Sequence, residues 1–354
     1  MAEAKAAYQE TFRQFLERLP EAANIVILCH SDADGLAAGA LLFKTLPKLG
    51  YLVSVRLIGK GESAWSSNTR ELLYESDEEG IIVADLGSRE HSIQPGIPLL
   101  VIDHHRPQGV APGAFIISGY GQKPTPTSGL LAHWCGETIT SLDSLLWITA
   151  VSLIGDIGDK APFEELAQAK KQWKGTVLRE LTSLINAARR SGTGNAIPAF
   201  DLLLKAKNPA DALSGKYPEL EKLRAAREEV TAALNVAKKA APKFSGKVAL
   251  IRMHSPCQIH PLIAQIWRTR LKDYIVMGVN TGYRPGYVHF SARCPVSVNL
   301  IDFLRANAPG EVDEGYGGGH DQASGGALTY AKWNEFVSKL GFGSEMKVVM
   351  GQTK

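Results

Sequence analysis

Short apolar runs alternate with helical patterns along the first half of the chain. The runs at 24–29, 51–58, 80–86, 98–103 and 114–118 are five to eight residues long and are bounded by polar or turn residues, which is typical of buried strands. Helical patterns follow at 35–46, 128–140 and 144–155. Continuous apolar strands separated by helices indicate a mostly parallel sheet that is covered by helices on both faces.

The pattern changes after Phe163. Helical patterns dominate up to Lys243, and strand patterns then return at 247–253, 274–280, 286–293 and 326–330, with helices expected near 260–271, 298–307 and 331–340. The segment 315–326 is so rich in glycine that we expect no helix or strand interior there. We therefore predict an α/β protein with an N-terminal domain at 1–205, a helical connector at 206–245 and a smaller C-terminal α/β domain at 246–354.

Composition narrows the class of protein only slightly. The 354 residues are 45% hydrophobic and 21% charged, as in ordinary globular proteins, and a formal charge of +3 is too small to indicate nucleic-acid binding by itself. The four cysteines form no CxxC pair, which favours a reducing, cytoplasmic environment over a disulfide framework. Neither an apolar signal core nor a long apolar run is present, so we expect no membrane span, and the sequence leaves oligomerisation open.

The first predicted strand is followed directly by the acidic segment CHSDADG at 29–35. His30, Asp32 and Asp34 alternate along it, so in an extended backbone they would point to the same side. One aspartate before a helix is most often an N-cap, and that interpretation would account for Asp32 or Asp34 alone.

Similar residues follow three further elements. Asp85 lies at the C-terminal end of the third predicted strand. Asp103, His104 and His105 lie at the end of the fourth, and Asp156 lies at the end of the apolar helix at 144–155. Each has an ordinary structural explanation when taken singly, but together they would line one edge of one sheet, where ligand sites gather in open α/β folds. Burying unpaired carboxylates there costs on the order of several kcal/mol each, and divalent cations remove that penalty. We therefore predict a metal site.

The types of ligand limit the choice of metal and suggest the chemistry. Carboxylates and imidazoles without thiolates suit manganese, magnesium or iron better than a structural zinc, and the mixture of nitrogen and oxygen favours Mn²⁺, with Mg²⁺ as the alternative. Two metals that share an aspartate would lower the pKa of a bridging water and clamp the phosphoryl oxygens during in-line displacement. This predicts a phosphoesterase that holds two divalent ions.

The motifs HSDADG, VADLGS, DHH and GD resemble, in order and context, the four motifs of the DHH phosphoesterases. The compact spacing of the first motif is most similar to the RecJ-type branch. The resemblance implies one metal on His30, Asp32 and Asp85. It implies a second metal on Asp34, Asp85, His104 and Asp156, with Asp85 bridging the two ions. It also implies a catalytic contact of His105 with the scissile phosphate, and an orienting role for Asp103 beside the two histidines.

The C-terminal part carries an excess of positive charge. Between Lys247 and Arg305 there are eight lysines and arginines against two acids, as expected of a face that meets a polyanion. The strand HFSARC and the glycine-rich segment resemble the C-terminal domain of RecJ-type and oligoribonuclease-type DHH proteins. The resemblance implies substrate contacts at Ser291, Arg293, Gly318, Gly319 and His320, and His260 at a predicted helix start is a further candidate.

These features predict a two-metal phosphodiesterase that cleaves single-stranded or short oligonucleotides from an end, as an exonuclease. An alternative enzyme would act on a small nucleotide, such as a cyclic dinucleotide or a bisphosphorylated nucleotide, or on polyphosphate. An alternative of another class is a non-catalytic nucleic-acid-binding subunit of a replication or repair complex. The complete set of acidic and histidine motifs favours the enzyme.

Overall fold

The computed structural model describes residues 1–312 and 316–349 of the chain. These residues form two compact units. The first comprises Met1–Arg189 and Asn195–Ala225, and the second comprises Arg190–Gly194 and the chain from Ala226 onward. The boundary at Ala225 falls inside a helix, within the segment predicted to be a connector.

The first unit is built on a five-stranded parallel sheet. Its strands are β1 (Asn24–His30), β2 (Leu52–Ile58), β3 (Gly80–Ala84), β4 (Leu99–Asp103) and β5 (Phe115–Ser118). Their order in the sheet is β2-β1-β3-β4-β5, and every neighbouring pair is parallel. The continuous apolar runs of β1, β3 and β4 are buried from both sides, which confirms the predicted sheet.

Helices cover this sheet and continue into the middle of the chain. They are α1 (Ala2–Leu16), α2 (Ala33–Thr45), α3 (Ser67–Tyr74), α4 (Ser128–Gly136), α5 (Leu146–Asp156), α6 (Glu164–Gln172), α7 (Gly175–Arg190), α8 (Ile197–Lys205), α9 (Pro209–Ala212) and α10 (Pro218–Ala237). Helices α1, α2, α4 and α5 contribute to the larger core together with one face of the sheet, and the other face packs against side chains such as Trp65, Leu73 and Ile93. Short 3₁₀ turns lie at Leu46–Leu49, Asp143–Leu145 and Ser344–Met346.

The second unit contains a six-stranded mixed sheet. Its strands are β6 (Lys243–Ser245), β7 (Val248–Met253), β8 (Ile275–Asn280), β9 (Tyr287–Arg293), β10 (Gly319–His320) and β11 (Ala323–Thr329), in the order β10-β11-β9-β8-β7-β6. Only β7 and β8 are parallel among these neighbours. Helices α10 and α11 (His260–Arg270) pack on one face, and α12 (Leu300–Ala306) and α13 (Tyr330–Lys339) pack on the other.

The glycine-rich segment at 315–326 differs from our expectation. Gly315 lies outside the described residues, but β10 and the first half of β11 fall within the segment, so the expectation of no strand interior was wrong. A Cβ on Gly325 would lie 2.5 Å from the carbonyl oxygen of Phe290, and one on Gly326 would lie 3.0 Å from the ring of Tyr316. Glycine is therefore used inside β11 because the backbone there approaches its neighbours too closely for a side chain.

Among the described residues, no helix combines the length and the apolar character that crossing a membrane requires.

Candidate metal centre

Three neighbouring strands bring the acidic and histidine residues together. β1 ends at His30, β3 is followed by Asp85, and β4 ends at Asp103, just before His104. Because β1, β3 and β4 are adjacent and parallel, their carboxyl ends lie side by side at one edge of the sheet. Helix α5 ends at Asp156, which the structure places at the same edge.

The first group of candidate ligands contains His30, Asp32 and Asp85. Nδ1 of His30 lies 3.1 Å from Oδ2 of Asp32 and 3.4 Å from Oδ2 of Asp85. One nitrogen or oxygen atom from each of the three residues lies within 4.8 Å of the other two, which is close enough to share one metal ion.

The second group contains Asp34, Asp85 and His104. Nε2 of His104 lies 3.7 Å from Oδ2 of Asp34 and 3.5 Å from Oδ1 of Asp85, and all three residues are buried. Asp156 approaches the other ring nitrogen of His104, with its Oδ2 3.7 Å from Nδ1. The two groups share Asp85, and they use different oxygens of its carboxylate.

The backbone at Asp85 is unusual. Its φ of 64° lies in the left-handed region, which L-residues other than asparagine and aspartate rarely adopt. The turn carries the chain out of β3, and the amide nitrogen of Asp85 donates to the carbonyl oxygen of Ile102 in β4 at 3.0 Å. The shared carboxylate is thus held by a defined turn and a hydrogen bond to the neighbouring strand.

Two glycines let helix α2 pack closely against its neighbours. Gly35 allows the close approach to the end of β1, and Gly155 allows the close approach of helix α5. A Cβ on Gly35 would overlap the carbonyl oxygen of His30, and a Cβ on Gly155 would lie 2.6 Å from the Cβ of Ala33. Asp32 is the N-cap of α2, and its Oδ1 accepts from the amides of Asp34 and Gly35. The capping interpretation of Asp32 is therefore correct, while its second oxygen contacts His30.

The start of helix α4 holds the carboxylate of Asp34. The amides of Ser128 and Gly129 donate to its two oxygens at 2.9 and 2.7 Å, and the hydroxyl of Ser152 donates to Oδ1 at 2.6 Å. The hydroxyl of Ser128 donates to Oδ1 of Asp85 at 3.0 Å. These residues were not predicted from the sequence, where the only signals are a serine-glycine pair at a helix start and a serine within the apolar helix α5.

Helix α7 contributes two further residues that the sequence did not reveal. Oδ1 of Asn186 accepts from the amide of Ala33 at 3.1 Å. The guanidinium of Arg189 lies 3.5 Å from Oδ2 of Asp32 and 3.5 Å from Nε2 of His30. Burial acts against ionisation of Asp32, but the charges of His30 and Arg189 hold the pKa of this carboxyl well below its usual range.

Asp103 fixes the backbone and ring of His105. Its Oδ1 accepts from the amide of His105 at 2.5 Å and lies 3.0 Å from Nδ1 of the same residue, while Oδ2 accepts from the amide of Gly87 at 2.6 Å. Burial favours the neutral acid, but the hydrogen bond and charge of His105 lower the pKa of Asp103 to about 2. Asp103 is therefore an ionised, hydrogen-bonded residue that orients His105.

The electrostatics of the cluster fit a site for divalent cations. Burial by itself would lower the pKa of His104, but the hydrogen bond with Asp85 and the charges of Asp34, Asp85 and Asp156 raise it to about 11. Burial and the charge of Asp85 raise the pKa of Asp34 well above its usual range. The crowded carboxyls thus raise the pKa of Asp34, a repulsion that a divalent cation would relieve, and the oxygen and nitrogen donors of the cluster suit Mn²⁺ or Mg²⁺.

The residues expected to bind substrate lie in the second unit. Ser291 and Arg293 share one face of β9, and the guanidinium of Arg293 donates to the hydroxyl of Ser291 at 2.9 Å. β11 lies between β9 and β10, and its Ala323 pairs with Arg293 on one side and His320 on the other. The structure therefore brings Ser291, Arg293, Gly319 and His320 to the same end of the sheet.

Gly318 and His260, the other two residues expected to bind substrate, contact the strands next to Ser291 and Arg293. The carbonyl oxygen of Gly318 accepts from the hydroxyl of Ser324, the β11 residue next to Ala323, at 2.7 Å. His260 is the first residue of α11 and is buried. Its carbonyl oxygen lies so close to Gly278 that a Cβ there would overlap it. Gly278 belongs to β8 and pairs with Ser291. The ring of His260 lies 5.5 Å from that of Tyr283 and 6.0 Å from that of His289.

The sequence matches no protein-family model and no curated protein. Among solved structures, the chain is similar to RecJ from Thermus thermophilus in complex with Mn²⁺, with a TM-score of 0.70 and 18% identity. The similarity covers 94% of this chain but only 54% of that one, so the chain spans about half the length of this RecJ. A structure of exonuclease RecJ bound to manganese is similar with a TM-score of 0.66 and 18% identity, over 94% of this chain and 93% of the other.

Two other proteins share the architecture. The DHH domain of a member of a family of ribosomal proteins has a TM-score of 0.67 and 17% identity, over 96% of this chain and 91% of its own. CDC45 from Entamoeba histolytica has a TM-score of 0.57 and 9% identity, over 95% of this chain and 98% of its own. Identities this low show a shared fold and leave the activity to be argued from the residues themselves.

Proposed function

We propose that this chain, which has the DHH fold of the structures described above, is a metal-dependent phosphodiesterase. Its proposed substrates are single-stranded or short oligonucleotides, which it hydrolyses from an end as an exonuclease. The observation that carries the proposal is the pair of ligand groups, His30–Asp32–Asp85 and Asp34–Asp85–His104, that share one carboxylate at the sheet edge.

The proposed ligands follow from these groups. One divalent ion would be held by His30, Asp32 and Asp85, and the second by Asp34, Asp85, His104 and Asp156, with Mn²⁺ favoured and Mg²⁺ as the alternative. When bound, such a pair of ions supplies an activated water and neutralises the phosphoryl oxygens. Binding at His30 and His104 requires neutral imidazoles, so metal binding releases protons.

The other residues have roles in holding the substrate and the ligands. His105 is oriented by Asp103 and contacts the scissile phosphate. Ser128, Gly129 and Ser152 keep the carboxylate of Asp34 in one orientation. Ser291, Arg293, Gly318, Gly319 and His320 provide donors to the nucleotide strand, since the backbone is accessible at the glycines and Arg293 carries a fixed positive charge.

The proposal is tested by measuring hydrolysis of matched end-labelled substrates with Mn²⁺, Mg²⁺ or chelator. The panel contains a short RNA, a long single-stranded DNA, a duplex, a cyclic dinucleotide and polyphosphate. Asp85→Asn is the informative variant, because asparagine tolerates the left-handed backbone but removes the charge that both ligand groups share. Asp143→Asn, at an exposed acid distant in sequence from the motifs, is the matched control.

We expect chelator-sensitive shortening of the single-stranded substrates by the wild type and by Asp143→Asn, and none by Asp85→Asn. Hydrolysis restricted to the cyclic dinucleotide or polyphosphate would replace the proposal with an enzyme for small phosphate compounds. Binding of single strands without hydrolysis of any substrate would favour the non-catalytic nucleic-acid-binding role. Full Mn²⁺-dependent turnover by Asp85→Asn would contradict the shared-carboxylate site itself.

A further inference from the structure

The edge of the second unit's sheet carries an exposed phenylalanine, a half-buried tyrosine and exposed basic side chains that the proposed function does not use. Phe244, on the edge strand β6, is 52% exposed, although phenylalanine is usually buried. Its ring lies 5.3 Å from that of Tyr274, and Nζ of Lys247 lies 5.5 Å from the same tyrosine ring. Arg270 and Lys272, close to Tyr274 in sequence, are also exposed. We call Phe244, Lys247, Arg270, Lys272 and Tyr274 the edge patch.

The charge of this region is strongly one-sided. Residues 238–274 contain eight lysines and arginines and a single acid, Asp273. Lys247, Arg270 and Lys272 are exposed, and within residues 1–312 and 316–349 none of them forms a salt bridge. The guanidinium of Arg270 lies 5.0 Å from the centre of the Trp267 ring. Cations near the exposed ring of Phe244 and the half-buried ring of Tyr274 match a ligand that carries both negative charge and flat rings.

The register of the sheet relates the edge patch to the proposed substrate residues. Arg293 pairs with Val276, Val276 with Ala249, and Ala249 with Phe244, so one row crosses the sheet from Arg293 to Phe244. The row continues on the other side through Ala323 to His320. Paired residues point to the same face, which is the face of α11 because Ala249 and Val276 pack against that helix.

The number of strands in this row gives the distance between Phe244 and Arg293. Neighbouring strands are about 4.8 Å apart, so Phe244 lies roughly 14 Å from Arg293. α11 covers the middle of the row, and Arg270, the last residue of this helix, and Lys272 bring positive charge to the end of the helix that precedes Tyr274. At about 3.4 Å per stacked nucleotide, the straight separation corresponds to about four nucleotides, and a strand that passes around α11 needs at least that number.

We propose that the edge patch is a second binding site for single-stranded nucleic acid, which holds bases at least about four nucleotides away from those at Ser291 and Arg293. The inference rests on the proposed function, because Arg293 serves as the first contact point. Bases stack on Phe244 and Tyr274, and phosphates contact Lys247, Arg270 and Lys272. Addition of a protein strand along β6 is a weaker explanation, since this edge strand is only three residues long.

The test compares oligonucleotides of increasing length. Binding of labelled dinucleotides and decanucleotides is measured by fluorescence anisotropy in chelator, which prevents metal-dependent hydrolysis. The full chain is compared with Phe244→Ala/Lys247→Ala and with the control Leu52→Ala/Lys207→Ala, which changes an exposed apolar residue and an exposed lysine of the first unit. Circular dichroism checks that the three proteins are folded alike.

We expect the patch variant to bind the decanucleotide about tenfold or more weakly, from the loss of one stacking contact and one phosphate contact, and to bind the dinucleotide like the wild type. The slope of log affinity against log salt should become shallower by about 0.7 for the decanucleotide only. Unchanged decanucleotide affinity, or an equal loss for both lengths, overturns the inference.

Failure of the proposed function gives a different result. Hydrolysis of the dinucleotide with Mn²⁺ depends on the metal centre and not on the edge patch, so it is measured in parallel on the same proteins. If the wild type cleaves the dinucleotide while the patch variant keeps full affinity for the decanucleotide, only the second site is refuted. If the wild type neither cleaves nor binds any strand, the proposed function is refuted together with the inference.

Discussion

Replacing Ser152 with alanine tests whether the hydrogen bonds around Asp34 exist to hold a charged ligand. Ser152 donates its only hydroxyl hydrogen to Oδ1 of Asp34, so Thr127, whose hydroxyl lies 2.5 Å away, must donate to Ser152. The hydroxyl of Thr127 in turn accepts from the amide of Leu130 at the start of α4. The substitution removes the middle member of this chain and leaves Asp34 with two backbone donors.

The size of the effect depends on the charge of Asp34. With metal bound the carboxylate is ionised, and a hydrogen bond to a charged group contributes about 1.5–3 kcal/mol. Without metal, burial and the neighbouring charge of Asp85 raise the pKa of Asp34 and so favour the neutral acid, to which the same bond contributes only about 0.5–1.5 kcal/mol. The difference of about 1–1.5 kcal/mol corresponds to a weakening of Mn²⁺ binding by Ser152→Ala of roughly tenfold, while the metal-free stability falls by only about 0.5–1.5 kcal/mol.

The assay is isothermal titration of Mn²⁺ into the metal-free protein, combined with urea unfolding in chelator. Ser141→Ala is the matched control, because Ser141 also donates to an aspartate but lies on the surface near Asp143. The control should bind Mn²⁺ like the wild type. An Mn²⁺ affinity of Ser152→Ala within about twofold of the wild type would refute the assignment of Asp34 as a ligand oriented by this chain of hydroxyls.

Three further outcomes follow from the geometry. Gly35→Ala should destabilise the fold by about 1–3 kcal/mol in urea unfolding and weaken Mn²⁺ binding, because its Cβ would overlap the backbone of His30. The control Gly175→Ala should change neither quantity, because its Cβ would meet no atom closer than 3.6 Å. Arg293→Ala should reduce oligonucleotide turnover at unchanged metal content measured by elemental analysis, and a loss of metal would contradict a substrate role. Mn²⁺ at about 100 times its dissociation constant should stabilise the first unit by about 2.7 kcal/mol and raise the melting temperature of that unit by roughly 5–11 °C, reversibly with chelator, whereas Asp85→Asn should show no shift.

The sequence predicts the sheet edge well because the relevant residues are tied to strand ends. Apolar runs identify β1, β3 and β4, and each run is followed directly by acids or histidines, so a parallel arrangement alone brings them together. The expected association of His30 with Asp32 and of His104 with Asp34, both around Asp85, agrees with the observed distances. The assignment of metal ions to these residues remains a prediction.

The surrounding contacts could not be predicted because they join positions far apart in sequence. Ser152 lies 118 residues from Asp34, and Asn186 lies 153 residues from Ala33. A serine within an apolar helix gives no sign of which acid it meets, since that depends on how α5 packs against α2. The strand at Gly325 was missed for a related reason: local propensity disfavours glycine there, and the close approach of Phe290 overrides it.

The left-handed turn at Asp85 limits how this centre can be redesigned. A longer acid such as glutamate could, by chemistry alone, bridge two ions, yet it is poorly tolerated at a φ of 64°, where aspartate and asparagine are favoured among residues with a side chain. The backbone therefore favours aspartate over glutamate at this position, independently of any requirement of the metal. Engineering the pocket for larger ions would have to begin with the loop after β3, and an adjusted set of ligands would come second.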